Sequence, residues 1–409
     1  MTLIVQKYGG TSVGSVERIN EVAKRMAWWK SKGHRLVAVV SAMSGETNRL
    51  LDLAYQIDTA PNQRELDVVA ATGEQVTVGL LAIALQKIGI KAKSYCGWQV
   101  PVITDNAHNR ARVAKIDETT IRADLKAGYV VVVTGFQGID ENHNITTLGR
   151  GGSDTSAVAL AVALKAKECQ IYTDVDGVYT TDPRIEPHAR RLNTITFEEM
   201  LEMASLGSKI LHPRSVELAG KNHLRLRVLS SFEKDGDGTL ITFEEDENME
   251  EAIVSGIAFD NNIMRINVKE VPNKPGSAYQ ILGPIADANI EVDMIIQNDS
   301  NHGVTDFSFT VPRAYGQQAV AILQKLQAKI GASDVNIADQ LVKLSIIGVG
   351  MRSHCGVAAT VFQVLAQQGI NIELIATSEI KISVLIDKKY LELAVRVLHK
   401  AFKLDAPRS

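Results

Sequence analysis

The segment Gly149–Asp154 combines glycines, a guanidinium group and a carboxylate directly ahead of a run of good helix formers. A glycine turn that opens a helix exposes backbone N–H groups beside the positive end of the helix dipole, and anions bind at such positions. The segment departs from the dinucleotide-binding pattern G-x-G-x-x-G because Asp154 stands where the last glycine belongs. It therefore predicts an anion-binding turn that also carries Arg150 and Asp154; a tight turn that only joins two elements is the alternative.

A second glycine turn follows the opening apolar run Leu3–Val5. Gly9 and Gly10 let the backbone approach a phosphate closely, and Lys7 can place an ammonium group on it. The alternative is a surface lysine beside a tight turn. The pattern G-x-x-x-x-G-K-[ST] is missing from the sequence, which argues against a P-loop enzyme.

Hydroxyl and carboxylate groups follow at further positions. Ser41 and Thr47 come after the apolar run Leu36–Val40, where small hydroxyl residues suit a ligand and helix capping equally well. Glu74 stands among Ala, Thr and Gly residues within a helical pattern. Its carboxylate can neutralise a substrate ammonium group or lie on a solvated helix face.

Two later segments have residues that suit a nucleotide. The aspartate-rich stretch 172–184 is consistent with ordinary turns or with ribose-binding carboxylates, and Tyr179 offers a ring face for a base. Lys209 can supply a second ammonium group to a polyphosphate, whereas His212, before a proline, is more typical of a structural histidine. Together these lysines, acids and glycine turns indicate phosphoryl transfer, which needs positioning and charge neutralisation rather than a nucleophile–base pair.

The elements that position these groups indicate an α/β fold. Up to about residue 245, apolar runs alternate with helical patterns, and several runs are continuous, as in strands buried on both faces of a mostly parallel sheet. This predicts a three-layer αβα domain whose loops bind ligands at the carboxyl ends of the strands. The strand runs are Leu3–Val5, Leu36–Val40, Val130–Val133, Ile171–Thr173, Leu224–Leu229 and Leu240–Phe243, and the helical patterns include Val16–Met26, Arg64–Ile88, Thr155–Leu164 and Phe197–Leu206.

The chain changes character after residue 245. Residues 244–251 are acidic and predict a solvated linker. Residues 275–278 then recur in type at 355–358, an offset that predicts two copies of a small ferredoxin-like βαββαβ unit. We expect four segments: a catalytic domain at 1–245, a linker and strand at 246–262, and the two repeat units at 263–340 and 341–409.

Composition excludes several classes of protein. The net charge of -3 gives no electrostatic surface for nucleic acid or membranes. Cys96, Cys169 and Cys355 match no metal or redox spacing, and no apolar run approaches the ~20 residues that cross a bilayer. The N-terminus enters a strand rather than a signal peptide, so we expect a cytoplasmic protein.

Taken together, the motifs resemble those of the aspartate kinases. The resemblance rests on segments 7–12, 40–43, 149–154, 172–177 and 209–214, in that family's order and spacing, and the repeats are similar to paired ACT domains. It implies an amino-acid-kinase fold that phosphorylates the side-chain carboxylate of L-aspartate with MgATP. Magnesium would be held by phosphates and water, so no protein metal site is expected.

The resemblance also implies roles for particular residues. Lys7 and Lys209 would hold the phosphates and the transferring group, with Asp154 orienting Lys7. Glu74 would bind the substrate ammonium group and Arg150 a substrate carboxylate, and the remaining substrate contacts would come from Ser41, Thr47, Gly151, Gly152 and Ser153. The ATP contacts would be Lys7, Tyr8, Gly9, Gly10, Ser41, Thr173, Asp174, Tyr179, Asp182, Arg184, Lys209 and Ile210.

For the repeats, the resemblance implies regulation by lysine, threonine or both in a homodimer or larger assembly. The implied effector contacts are Asn273, Lys274, Pro275, Gly276, Ser277, Ala278, Glu291, Val292, Asp293 and Gln297 in the first copy and Val357, Ala358, Asn371, Ile372, Ser378 and Glu379 in the second. Many relatives have aspartate where this chain has Asn273, so we expect weaker or altered inhibition through the first copy. A short regulatory subunit started near Met249 is a further hypothesis; an ordinary linker methionine is its alternative.

Two other functions compete with this interpretation. One is a sister kinase acting on glutamate, acetylglutamate, uridylate or carbamate; the ACT pair and the combination of Glu74 with Arg150 argue against it. The other is a non-catalytic amino-acid sensor, which the presence of Lys7, Asp154 and Lys209 disfavours. A fused dehydrogenase is not expected, because no dinucleotide-binding pattern remains.

Overall fold

The computed structural model describes residues 2–206, 210–233, 236–243, 253–298, 303–349, 351 and 356–406. The chain divides into two compact units. Unit 1 comprises Met1–Tyr179 and Arg191–Met249, and unit 2 comprises Thr180–Arg190 and Glu250–Ser409. The predicted linker at 244–251 and Met249 lie outside the described residues.

Unit 1 is an α/β domain, as the sequence predicts. Its main sheet has the order β10-β12-β11-β9-β1-β2-β6-β3, with parallel pairing except between β11 and β12, and a smaller sheet has the order β5-β4-β7-β8. The elements are β1 (Leu3–Tyr8), α1 (Val16–Ser31), β2 (Arg35–Val40), α2 (Glu46–Ile57), α3 (Gln63–Ala70), α4 (Thr72–Lys87), β3 (Ala92–Tyr95), β4 (Val102–Thr104), β5 (Val113–Ile116), α5 (Thr119–Lys126), β6 (Val130–Thr134), β7 (Gln137–Ile139), β8 (Ile145–Thr147), α6 (Gly152–Leu164), β9 (Glu168–Thr173), β10 (Thr194–Thr196), α7 (Phe197–Ser205), α8 (Pro213–Lys221), β11 (Arg225–Ser230) and β12 (Thr239–Thr242).

Residue type explains why the central strands lie where they do. β6 is four valines and a threonine, all buried, and β-branched residues of this kind favour strands covered on both faces. Each fully buried valine contributes about 1.5–3 kcal/mol relative to an exposed one. On β1 the alternate residues Ile4 and Tyr8 join the core that α1 and α4 cover, so the intervening Lys7 points to the opposite face, where α6 packs.

The stretch Gln63–Lys87, which comprises α3 and α4, passes the length and hydropathy test for a membrane-spanning helix, although no apolar run of that length is expected from the sequence. Of its most apolar window, 56% is buried inside the fold. The core helix of a globular domain passes the same test, because its apolar residues pack on the sheet and on neighbouring helices.

Unit 2 contains the two predicted ferredoxin-like copies. The first, β14-α9-β15-β16-α10-β17, forms a sheet of order β15-β16-β14-β17, and the second contributes β18, α11, β19, β20 and α12. The elements are β13 (Ile253–Asp260), β14 (Ile263–Pro272), α9 (Ser277–Asp287), β15 (Ile295–Gln297), β16 (Val304–Pro312), a 3-10 turn (Arg313–Tyr315), α10 (Gly316–Ile330), β17 (Asp334–Ala338), β18 (Leu341–Val349), α11 (Gly356–Gln367), β19 (Leu374–Thr377), β20 (Lys381–Asp387), a 3-10 turn (Lys388–Tyr390) and α12 (Leu391–Ala401).

The second copy takes its last strand from another part of the chain. β13, which precedes the first copy, pairs antiparallel with β18 and completes the order β13-β18-β20-β19. From the sequence, this strand is expected only to lead into the repeats, within residues 246–262. A strand's own residues do not specify its partner, because the apolar pattern of β13 fits either sheet.

A short excursion also joins unit 2 from the middle of the catalytic region. In Thr180–Arg190, the carbonyl of Thr180 accepts a hydrogen bond from the Ile257 N–H at 2.7 Å, and its hydroxyl lies 3.0 Å from Nε2 of the buried His399. The Ile185 carbonyl accepts a bond of 2.9 Å from Arg396 Nε. This segment therefore packs on β13 and α12 rather than in the catalytic domain predicted at 1–245.

Candidate active site

The carboxyl ends of β1, β2 and β9 meet at one edge of the parallel sheet of unit 1. A cavity of about 460 Å³ opens at this edge. It is lined by Lys7, Gly9, Gly10, Thr11, Ser41, Ala42, Met43, Ser44, Gly45, Thr47, Asn48, Glu74, Phe136, Gly149, Arg150, Gly151, Gly152, Ser153, Asp154 and Thr173. The fold thus brings the predicted lysine, glutamate, arginine and aspartate into one cavity from segments far apart in sequence.

The first charged feature of the cavity is the pair Lys7–Asp154. The Lys7 Nζ lies 2.7 Å from Asp154 Oδ1, and the two side chains are only 12% and 11% exposed. Lys7 reaches α6 because it lies on the α6-facing side of β1, and Asp154 lies in the first turn of α6, where an acidic side chain stabilises the helix. The ammonium group is thereby held at the amino end of a helix, where the helix dipole also favours anions.

The second charged feature is Glu74 on α4, which is 2% exposed. Its Oε1 accepts a hydrogen bond of 3.0 Å from the Ala42 N–H, whereas its Oε2 is buried without a hydrogen-bond partner among the described residues. Burial raises the pKa of this carboxyl to about 7, against the opposing hydrogen bond from Ala42. A buried carboxylate oxygen that lacks a donor is a binding position for a cationic ligand group.

The turn that carries Arg150 requires its glycines. Gly149 and Gly151 have φ of 75° and 68°, which residues with a β-carbon rarely adopt. A β-carbon on Gly151 would also stand 2.3 Å from Cβ and Cγ of His212. Arg150 itself is exposed and lines the cavity.

His212 has the structural role that the sequence suggests. It caps the amino end of α8, where its Nδ1 accepts a bond of 3.3 Å from the Arg214 N–H, and its ring packs on Gly151. Burial, aided by the guanidinium groups of Arg214 and Arg150, lowers the pKa of His212 against the opposite effect of Asp154. Arg214 donates 2.7 Å to the Leu148 carbonyl, so this segment supports the glycine turn from outside the cavity.

Several predicted nucleotide contacts do not line this cavity. Tyr8 is fully buried, its ring stacked on Tyr172 with centroids 4.8 Å apart, because it follows Lys7 by one residue and faces the other side of the sheet. Its carbonyl also accepts a hydrogen bond of 3.1 Å from the Ser41 N–H. Tyr179 donates a hydrogen bond of 3.0 Å to Asp176, and burial together with this bond raises its pKa.

The other predicted nucleotide contacts lie further along the chain. Asp174 is exposed just past Thr173, whose hydroxyl donates to it at 3.0 Å. Asp182 and Arg184 belong to the excursion in unit 2 and pair with each other at 2.7 Å. Ile210 is described outside the cavity lining, and Lys209 lies outside the described residues.

The predicted effector residues lie in unit 2. In the first copy, Gln297 Nε2 lies 3.5 Å from Asn273 Oδ1, and Gly276 has φ of 94° at the start of α9. Asp293 forms an ion pair with the buried Lys343 of β18, which ties the two copies together. In the second copy, Asn371 donates to Glu373 at 3.1 Å. Of the remaining predicted effector residues, Ser277 and Val357 are buried. The others are exposed or partly buried: Lys274, Pro275, Ala278, Glu291, Val292, Ala358, Ile372, Ser378 and Glu379.

Phe136 lines the cavity but is not among the site residues predicted from the sequence. It follows the buried strand β6, lines the cavity and has φ of 69°, a conformation that is costly for a bulky residue. Its backbone N–H donates 3.0 Å to the Ser156 hydroxyl of α6, which holds the conformation. Its position directly after the carboxyl end of a predicted buried strand was the available signal.

A second cavity of about 910 Å³ lies between α1, β9 and β11. Although it is larger, its described lining includes Asp176 of the aspartate-rich stretch but not Lys7, Glu74, Arg150 or Asp154. Two of its arginines, Arg18 and Arg25, donate to backbone carbonyls of Ser230, Ser231 and Glu233. The chemistry therefore points to the smaller cavity.

Comparison with known proteins agrees with this geometry. The model of the amino acid kinase family matches residues 2–230, and that of the ACT domain matches 269–327 and 344–402. The chain is 61% identical over 407 residues to the aspartate kinase of Pseudomonas putida, covering 100% of this chain and 99% of that one, and 49% identical over 406 residues to the aspartokinase of Helicobacter pylori, covering 98% and 100%.

Among solved structures, the crystal structure of E. coli aspartokinase III in complex with aspartate and ADP superposes with a TM-score of 0.82 at 26% identity, covering 98% of this chain and 99% of that one. The family and fold predicted from the sequence are confirmed. The chain belongs to the amino acid kinase family and, within it, to the aspartate kinases, which are phosphotransferases with a carboxyl group as acceptor.

Proposed function

We propose that the smaller cavity binds L-aspartate and transfers the γ-phosphoryl group of ATP to its side-chain carboxylate, giving 4-phospho-L-aspartate and ADP. The observation that carries this proposal is the Oε2 of the buried Glu74, which has no hydrogen-bond partner in the described part of the chain, in a cavity that also contains Arg150 and the Lys7–Asp154 pair. An α-amino acid with a second carboxylate offers one cation and two anions. Glu74 binds the ammonium group and Arg150 a carboxylate.

The chemistry needs no general base. A side-chain carboxylate with an ordinary pKa near ~3.9 is already ionised at neutral pH and attacks the γ-phosphorus directly. The bond from phosphorus to the ADP oxygen breaks as the acyl-phosphate bond forms. Lys7, oriented by Asp154, stabilises the charge that spreads over the transferring oxygens.

For the nucleotide we propose contacts from Lys7, Gly9, Gly10 and Thr173 in the cavity, and from Lys209. The glycine backbone and the ammonium group of Lys7 fit phosphates, and the aspartokinase III relative contains ADP with aspartate. Among the described residues, no three His, Cys, Asp or Glu side chains cluster as metal ligands. We propose that Mg²⁺ arrives with the phosphates and neutralises their charge.

For the ACT units we propose feedback regulation by lysine, threonine or both, at the first step of lysine, threonine and methionine synthesis in the cytoplasm. A crystal structure of E. coli aspartokinase III contains lysine together with aspartate, at a TM-score of 0.77 and 26% identity. We also propose assembly through the ACT units. We also propose a short regulatory subunit whose translation starts near Met249. A western blot against a C-terminal tag tests this proposal, and a single full-length band would contradict it.

Hydroxamate formation from aspartate and ATP tests the reaction, with and without lysine and threonine. Glutamate as acceptor provides the control, since a sister kinase would prefer another substrate, and a sensor without catalysis would form no product.

Arg150→Ala tests the site. We expect the KM for aspartate to rise about tenfold or more, as for loss of a charge-assisted pair, while the KM for ATP changes little. Arg122→Ala, an exposed arginine on α5, is the matched control. Equal changes in both KM values would refute the assignment of Arg150.

A further inference from the structure

The carboxylate of Asp67 on α3 is fully buried, although it does not line the cavity. It is surrounded by donors: Asn109 N–H lies 3.1 Å from each oxygen, the Thr147 hydroxyl 2.5 Å from Oδ1, and Nδ1 of His108 2.7 Å from Oδ2. A buried acceptor with this many donors fixes the groups that surround it, because each of them would lose its hydrogen bond to Asp67 if it moved.

Asp67 holds two segments that flank the glycine turn, namely the end of β8 and the 105–112 loop. Thr147 ends β8 and stands two residues before Gly149. The Asn109 carbonyl lies only 2.6 Å from where a β-carbon of Gly149 would be, so the 105–112 loop packs directly on the turn. These two segments are also hydrogen-bonded to each other, because the Ala111 N–H donates to the Thr147 carbonyl at 2.9 Å.

We propose that Asp67 is a positioning residue for aspartate binding, which holds the turn so that Arg150 reaches the substrate carboxylate. This rests on the substrate role proposed for Arg150. Asp67 fixes Thr147, which precedes the turn, through the Thr147 hydroxyl, and Arg150 follows Gly149 by one residue within the turn. Displacement of a binding group by about 1 Å is enough to cost up to about a hundredfold in rate.

The test is Asp67→Asn, which keeps the side-chain volume but replaces one acceptor oxygen by a donor that faces other donors. We expect the KM for aspartate to rise at least about tenfold while the KM for ATP changes less than about twofold. KM does not depend on the folded fraction, so this split separates positioning from loss of stability.

Asp124→Asn is the matched control. Asp124 is also a buried carboxylate of unit 1, held by Lys93 at 2.6 Å and by Tyr95, but it lies on α5 outside the cavity lining. We expect it to lower the melting temperature and to leave both KM values unchanged. A rise in the KM for aspartate as large as that of Asp67→Asn would overturn the proposal, since loss of any buried carboxylate would then suffice.

A double-mutant cycle decides whether Asp67 acts through Arg150. In the Arg150→Ala background, we expect Asp67→Asn to change the KM for aspartate less than about twofold. The same factor in both backgrounds would overturn the proposal. If Arg150→Ala alone leaves the KM for aspartate unchanged, the substrate role of Arg150 is wrong; if only Asp67→Asn leaves it unchanged, the positioning role alone is wrong.

Discussion

Replacing Glu74 by glutamine should stabilise the free protein at alkaline pH while weakening aspartate binding. The pKa of Glu74 is raised from 4.5 to about 7 because the carboxyl is buried. At about 1.4 kcal/mol per pKa unit, holding this group ionised costs the folded state about 3 kcal/mol above pH 7. Glutamine has no charge to bury, and its amide oxygen can still accept the hydrogen bond from Ala42.

The sign of the pH dependence follows from linkage. Between pH 4.5 and about 7 the folded protein binds a proton at Glu74 that the unfolded chain has released, so this penalty is absent at low pH and grows as pH rises. The stability advantage of Glu74→Gln should therefore be about 2 kcal/mol larger at pH 8 than at pH 5.5. Comparing two pH values removes any constant effect of the amide on packing.

Urea denaturation of both proteins at the two pH values measures this difference. Glu65→Gln is the matched control, because the Glu65 side chain on the adjacent helix α3 is 62% exposed, and we expect no pH-dependent gain there. A Glu74→Gln advantage that is the same at both pH values, or that shrinks as pH rises, would refute the burial argument.

The same substitution tests ligand binding. A hydrogen bond to a charged group contributes about 1.5–3 kcal/mol, so the KM for aspartate should rise about ten- to a hundredfold in the glutamine variant. In the wild type, only about a tenth of the free sites carry ionised Glu74 at pH 6, so the KM for aspartate should be several-fold higher at pH 6 than at pH 8. In the variant this pH dependence should disappear.

Two further substitutions test the turn and the regulatory unit. Gly151→Ala should reduce kcat/KM by more than about a hundredfold, because a β-carbon at this position would lie 2.3 Å from the imidazole of His212. Gly128→Ala is the matched control, because Gly128 also has a positive φ, 85°, but has open space around it among the described residues. The control should cost only about 1–2 kcal/mol of stability. Equal losses of activity would show that backbone conformation alone matters. Asn273→Asp should strengthen inhibition by lysine or threonine several-fold, within the ~1–3 kcal/mol typical of coupling between sites, and an unchanged inhibition curve would refute the proposed effector contact.

The sequence was sufficient for several strands and helices of unit 1, whose signals are local, but it did not predict the smaller sheet of β4, β5, β7 and β8 or the short helices α2, α5 and α8. Continuous apolar runs marked β1, β2, β6 and β9, and each is a buried strand in the structure. The direction of Tyr8 was also open to local reasoning. Once Lys7 is expected to face a ligand, the next residue on the strand must face the opposite side, and Tyr8 lies in the core.

The pairing of β13 with the second repeat copy and the hydrogen bonds of Asp67 could not be predicted from local patterns. Each depends on which distant segments meet: β13 with β18, and Asp67 with Thr147, 80 residues further on. An aspartate within an amphipathic helix has the same local pattern whether it is solvated or buried among donors. Only the packing of α3 on the end of β8 distinguishes the two cases.

The Lys7–Asp154 pair and Glu74 differ in whether the free protein supplies a partner for the charge, and this difference links substrate binding to stability. Lys7 already has its counter-ion in Asp154, whereas Glu74 is buried with one oxygen unpartnered among the described residues. Above pH 7 the folded protein therefore carries a strain of about 3 kcal/mol that an ammonium group would relieve. A site of this kind is destabilising until it is filled, and ligands that bind only the folded state raise stability by mass action. On this reasoning, aspartate should raise the melting temperature more at pH 8 than at pH 6, and that difference should vanish in Glu74→Gln.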